Sequence, residues 1–178
     1  MKTFEFSVIA SGLDPYSEDF EAQFYRNGCD DALVSFQKGH IIVDFAREAN
    51  SFVEAVVSAL ENVMASGARI DRLEPDPLVS LSDIANRAHM TRAAISNYHK
   101  GLRCEGFPAP VARVTSDSPL WEWSTVAKWL ACNNKLDRTI AVEAEVVRQA
   151  NCAVASGERH YGGMLIMRAA KYEEELSA

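Results

Sequence analysis

The sequence predicts an α+β protein made of two parts and a helical tail, and three observations carry that expectation. The first 74 residues switch between strand-like and helix-like periodicity. Glu74-Pro75-Asp76-Pro77 then breaks the chain, because two prolines in three residues hold the backbone extended. Beyond it, short helical stretches dominate, interrupted by one strand-like pair. A chain of 178 residues is long enough for one large core or two small ones.

In the first part, Thr3 to Ala10 alternates, with Phe4, Phe6 and Val8 on one face of a half-buried strand. Asp14-Pro15 marks a turn, after which Ser17 is placed to N-cap a helix. Phe20 and Phe24 share a face of that helix, Glu18, Asp19 and Glu21 occupy its first turn, and Gly28 stops it. Ala32, Val34 and Phe36 alternate again, as do Ile41, Val43 and Phe45 beyond Gln37-Lys38-Gly39-His40, which predicts a β-hairpin. Ser51-Phe52-Val53-Glu54 reads as a capping box opening a second helix. Val53, Val56, Val57, Leu60, Val63 and Met64 are its apolar stripe, Gly67 ends it, and Ala68 to Leu73 forms a closing strand. The order β-α-β-β-α-β over residues 1–74 is the split βαβ, ferredoxin-like arrangement.

This part offers little chemistry. Asp30-Asp31 after Cys29 can be imagined as a metal site, but no histidine or further carboxylate stands at ligand spacing, which favours turn and helix-end roles. His40 reads as an exposed loop residue. By analogy of fold alone, such a sheet dimerises or binds a small effector or a protein partner.

Residues 75–77 form the linker to a segment spanning 78–131. Ser80-Leu81-Ser82-Asp83 starts a short helix in the manner of a capping box, with Leu81, Ile84, Ala85 and Ala88 facing inward. His89-Met90-Thr91 is a tight connection, and Thr91 caps a second helix running from Arg92 to Lys100. Ala94, Ile95 and Tyr98 face inward there, and Arg92, Ala93, Ser96, Asn97 and Lys100 face out. Two short helices joined by a tight turn give the helix-turn-helix layout, whose second helix enters the major groove of DNA. Arginine forks onto guanine, asparagine pairs with adenine in bidentate fashion, and serine bonds to bases or phosphate. Lys100 and Arg103 suit phosphate anchoring, which positions without specifying sequence. The bland reading of such a face is an ordinary solvated helix surface.

Gly106-Phe107-Pro108-Ala109-Pro110 leads into Val111-Ala112-Arg113-Val114, a turn over Thr115 to Pro119, and Leu120-Trp121-Glu122-Trp123, which predicts a two-stranded ribbon. Ser124 is placed to N-cap a helix over Thr125 to Leu130 that buries Val126, Trp129 and Leu130. Trp123 and Trp129 are expected in the core, whereas Trp121 suits either the core or a stacking platform.

The run SLSDIANRAHMTRAAISNYHKG, then GFPAPV, then PLWEWSTVAKWL resembles a MerR/excisionase-type winged helix, and the AlpA-like prophage regulators especially. The resemblance covers about 50 of the 178 residues, with His89 standing where many of these motifs have glycine. It implies DNA contact by the helix beginning at Thr91 and by the wing, through Arg113 and Ser116, with acidic Asp117 at the wing tip.

Residues 132–178 are expected to add two helices. Asp137 to Ala155 carries Ile140, Ala144, Val147 and Val154 at helical spacing and stops at Gly157. A second runs from about Met164 to Leu176, frayed where Glu173-Glu174-Glu175 meets its C-terminus, with Gly162-Gly163 a hinge or turn before it.

The net charge of −7 is unevenly spread. Residues 1–76 hold 6 Lys/Arg against 14 Asp/Glu, a net of −8; residues 77–131 hold 6 against 4, a net of +2; residues 132–178 hold 6 against 7, a net of −1. The four cysteines are scattered without C-x-x-C spacing, which excludes a zinc knuckle or disulfide framework and leaves reduced thiols. No apolar run reaches membrane-spanning length and no secretion signal is visible, so a cytoplasmic location is expected. No catalytic motif, metal set or cofactor fingerprint is present. The expected function is a regulator that binds double-stranded DNA as a homodimer, not an enzyme. Two alternatives stay open: an antitoxin-like protein whose acidic domain holds a basic partner, and an excisionase-like architectural DNA binder.

Overall fold

The computed structural model describes residues 1–158 and 160–177. It is α+β, with seven helices, a four-stranded antiparallel sheet and a separate two-stranded pair among the described residues. None of these helices is long and apolar enough to cross a membrane. The chain forms two compact units, one of Met1–Pro75 with Val146–Ala170, the other of Asp76–Glu145 with Lys171–Ala178. The two longest helices, α6 (Arg138–Ala155) and α7 (Gly162–Ser177), are therefore each divided between the units.

The first unit runs β1 (Lys2–Ser11), α1 (Phe20–Arg26), β2 (Ala32–Gln37), β3 (His40–Ala49), α2 (Phe52–Ala65), β4 (Arg69–Glu74). Its sheet order is β2-β3-β1-β4, with every neighbouring pair antiparallel. Alternation places Phe4, Phe6 and Val8 of β1 and Ile41, Val43 and Phe45 of β3 on the buried face. There Phe52 of α2 meets the rings of Phe4 and Phe6, each at 5.7 Å. Lys38 and Gly39 both take positive φ between Gln37 and His40, the two-residue turn that matches strand twist. Ser51 caps α2 by accepting from the Glu54 N–H.

Ser17 does not cap α1, which begins three residues later. Asp14 instead holds a turn, accepting from the Tyr16 N–H through its side chain and from Ser17 through its carbonyl. At the other end Gly28, at φ +87°, closes the helix: its N–H donates to Tyr25 O and that of Cys29 to Phe24 O.

An ion pair, part-buried, joins β3 to the turn before β2. Arg47 takes the next inward position after Phe45 and is 7% exposed. Its guanidinium donates to both carboxylate oxygens of Asp31 at 2.8 Å, to Gly28 O, Asn62 Oδ1 and Ser58 Oγ, and lies over the Phe45 ring. The Asp31 carboxyl is held below the ordinary carboxylate range by those bonds, so its role is in this clamp. Beside it, burial pushes the Cys29 thiol up to about 11.

The outer edge of β4 is capped at Leu73. Asn151 of α6 accepts from the Leu73 N–H at 2.7 Å and donates to the Leu73 carbonyl at 2.9 Å, replacing the missing strand with one amide. Gly162 and Gly163 are not a hinge but the first residues of α7. A Cβ on Gly162 would lie 3.6 Å from Val57 and 3.5 Å from Glu61, in ordinary contact, so α7 starts beside α2 without needing glycine there.

The second unit comprises β5 (Leu78–Val79), α3 (Leu81–Arg87), α4 (Arg92–His99), β6 (Trp121–Glu122), α5 (Trp123–Cys132) and the adjoining parts of α6 and α7. Its core gathers Val79, Ile84, Ile95, Tyr98, Trp121, Trp123, Val126 and Leu130 with Ala141, Ala144, Tyr172 and Leu176. Burial of Tyr172 and Leu176 keeps the Glu173–Glu175 run helical to Ser177, where fraying is expected from the sequence.

Candidate nucleic-acid interface

The predicted reading surface is built on α3 and α4. Ser80 caps α3 in a complete capping box: its hydroxyl accepts from the Asp83 N–H, and Asp83 Oδ2 accepts from the Ser80 N–H at 2.9 Å. Bonds from the Ser80 hydroxyl and then its N–H hold the Asp83 carboxyl below its ordinary range. Arg87 in the last turn donates to Asp76 O at 2.9 Å and lies 5.6 Å over the Trp123 ring, which fixes the chain entering the unit. The turn between the helices is a second left-handed closure. His89 sits at φ +52°, its N–H donating to Asn86 O and that of Met90 to Ala85 O.

Thr91 caps α4, its hydroxyl accepting from the Ala94 N–H at 3.1 Å. Ile95 and Tyr98 are buried, and Ala94 is half-buried. Arg92, Ala93 and Lys100 are exposed, Ser96 and Asn97 half-buried, and helical spacing puts all five on one side of α4. Gly101, at φ +69°, closes the helix through its bond to Tyr98 O and that of Leu102 to Asn97 O. Residues 91–103 contain Arg92, Lys100 and Arg103 and no carboxylate.

Two indole N–H groups tie down the loop after α4. Trp121 donates to Pro108 O at 3.0 Å and Trp129 to Glu105 O at 3.3 Å, around Phe107, whose ring meets Trp129 at 5.2 Å. His99 packs edge-on against Trp121 at 5.1 Å, and Tyr98 against Trp129 at 5.4 Å. Trp121 is wholly buried, so of its two predicted roles it has the core one.

The ribbon is shorter than its alternation suggests. One bridge, Ala112 with Leu120, joins its arms, while β6 pairs with β5. Val111 and Val114 are exposed, and Arg113 adopts φ +51°, which turns the chain before alternation can continue to Val114. Ser116 spends its hydroxyl within that turn, donating to Arg113 O at 3.0 Å and accepting from the Ser118 N–H. The Arg113 side chain is exposed. The return arm then leads straight into α5. Trp123 N–H donates to Pro77 O at 2.7 Å as the helix begins, which leaves Ser124 buried inside it rather than capping it.

Thr91, Arg92, Ala93, Ser96, Asn97 and Lys100 thus come together on α4, Arg103 follows on the next loop, and Arg113 and Ser116 lie on the ribbon turn. Arg87 and the indole clamps are less legible in the sequence: the one signal of Arg87 is its place in the last turn of α3, and that of the clamps is two tryptophans downstream of a Gly-Phe-Pro loop. Positive charge is local: the second unit holds 9 Lys/Arg against 11 Asp/Glu, a net of −2, and the first holds 9 against 14, a net of −5. Compared with family models, with curated proteins and with solved structures, the chain matches none.

Proposed function

We propose that the protein is a transcriptional regulator that binds double-stranded DNA in a sequence-specific way as a homodimer. In this reading residues 78–131 are a winged helix-turn-helix of the MerR/excisionase, AlpA-like kind. The ferredoxin-like first unit serves self-association, with a small effector or protein partner as its further ligand. The observation that carries the proposal is the outer side of α4, where Arg92, Ala93, Ser96, Asn97 and Lys100 stand on a helix fixed at both ends. Such a helix presents a donor fork, an amide and a hydroxyl in fixed order, which base reading requires.

The rest of the surface divides the work. Arg92 and Asn97 read bases, Thr91, Ala93 and Ser96 line the approach, and Lys100 and Arg103 neutralise phosphates. Arg113 on the ribbon turn adds a phosphate contact, and Ser116 shapes the turn that presents it. The acidic first unit favours a basic protein as its partner, which keeps an antitoxin-like role as the second reading.

The test is a mobility-shift titration on the gene's own upstream DNA over a salt series. Tight binding is expected, weakening linearly in log salt. Arg92→Ala and Asn97→Ala should each cost about 1–3 kcal/mol and relax sequence preference, whereas Lys100→Ala should lower the salt slope by about 1. If neither the native protein nor a cross-linked dimer retains duplex at low salt, the proposal fails.

A further inference from the structure

The sheet of the first unit is treated differently at its two edges. Asn151 caps Leu73 on the edge of β4, but among the described residues the only strand that pairs with β2 is β3. In a two-residue hairpin the residues flanking the turn exchange both backbone bonds, so Gln37, Ser35 and Leu33 face β3. The Ala46 N–H donating to Asp31 O keeps that alternation. The N–H and C=O groups of Val34 and Phe36 therefore point away from the sheet.

The strand, Ala32-Leu33-Val34-Ser35-Phe36-Gln37, has neither charge nor proline, the usual devices that stop an edge from pairing. Large side chains stand exposed around it: Leu33 at 69%, Phe36 at 40%, Tyr25 at 68% and Tyr16 at 86%. A groove of about 440 Å³ runs between α1 and β2, with Glu21, Tyr25, Arg26, Leu33 and Val34 in its wall. Glu21 lies at the start of α1, and Arg26, which donates to Asp19 at 3.2 Å within its own chain, lies at its end, so an antiparallel second copy brings each near the opposite charge of the other, twice.

We propose that β2 is the dimerisation edge. Two copies pair β2 with β2 antiparallel about a two-fold axis, giving one continuous eight-stranded sheet with the two α1 helices alongside. This rests on the homodimeric part of the function proposed above and not on its DNA-binding part, so its test contains no DNA.

Sedimentation equilibrium of the full chain should give twice 19.6 kDa. Leu33→Lys, at an exposed position, puts like charges beside the axis and should weaken dimerisation by on the order of a hundredfold or more, with the circular dichroism and melting temperature of the monomer retained. Val34→Pro removes an outward N–H without touching a bond to β3 and should act in the same direction. Glu21→Arg alone should weaken the dimer, and Glu21→Arg with Arg26→Glu should restore it. A native protein of 19.6 kDa at micromolar concentration overturns the proposal, as does a dimer indifferent to both β2 substitutions.

Discussion

Arg47 occupies a place on β3 where alternation calls for an apolar side chain, and five hydrogen bonds let it stay there. Replacing it with methionine leaves Asp31 without its partner in a half-buried site, and should cost about 3 kcal/mol in denaturant unfolding. The pH dependence follows from the sign of the Asp31 shift. Its folded pKa lies below the unfolded value of 3.8, so its contribution is complete above that value and is lost as pH falls through the folded one. Native protein should therefore lose this contribution as pH falls below 3.8, and Arg47→Met should lose less over the same interval. An identical acid limb in both would show that the pair does not carry it. None of this was legible in the sequence. Phe45-Ala46-Arg47-Glu48 reads as a strand running out into charge, and the partners Gly28, Asp31, Ser58 and Asn62 lie far apart along the chain.

Helix ends were far more legible, because caps are local. Ser51 and Ser80 are read correctly from the acidic residue three positions on, Thr91 from its place before the helix, and Gly28, Gly67 and Gly157 stop their helices at positive φ. Ser17 and Ser124 misled for two reasons: Asp14 competes for the first turn, and a strand feeds directly into α5. The ribbon misled because one left-handed residue, Arg113, cancels an alternation that otherwise looks sound. Five helices, α1, α3, α4, α5 and α6, close with the same pair of backbone bonds around Gly28, His89, Gly101, Asn134 and Gly157. His89 is the costlier of the two that carry a side chain, since asparagine, as at Asn134, tolerates the left-handed region through local hydrogen bonding. His89→Gly should stabilise the protein by about 0.5–1 kcal/mol in thermal unfolding, and leave duplex affinity unchanged. A loss of affinity instead would place the imidazole in the DNA contact.

At the scale of the whole chain, the strand and helix order of the first 74 residues was legible from periodicity, while the destination of residues 132–178 was not. Apolar spacing predicts that α6 and α7 bury a face, but only tertiary packing decides against what. Ala141, Ala144, Tyr172 and Leu176 complete the core of the second unit, and Asn151 completes an edge of the first. A chain ending at Lys135, which keeps α5 and its closing bonds, should therefore lose protection in both places. Amide hydrogen exchange should speed up at Leu73 and throughout α3 to α5, whereas native protection in the shortened chain would show those helices to be dispensable. The aromatic clamp on the loop after α4 has one more consequence. All three tryptophans of the chain, Trp121, Trp123 and Trp129, lie in the second unit, and two of them donate to the loop that leads into the ribbon. The protein thus carries its own optical label. Intrinsic tryptophan emission reports on the proposed DNA-contacting unit alone, and any ligand that shifts the loop changes the environment of an indole without a dye being attached.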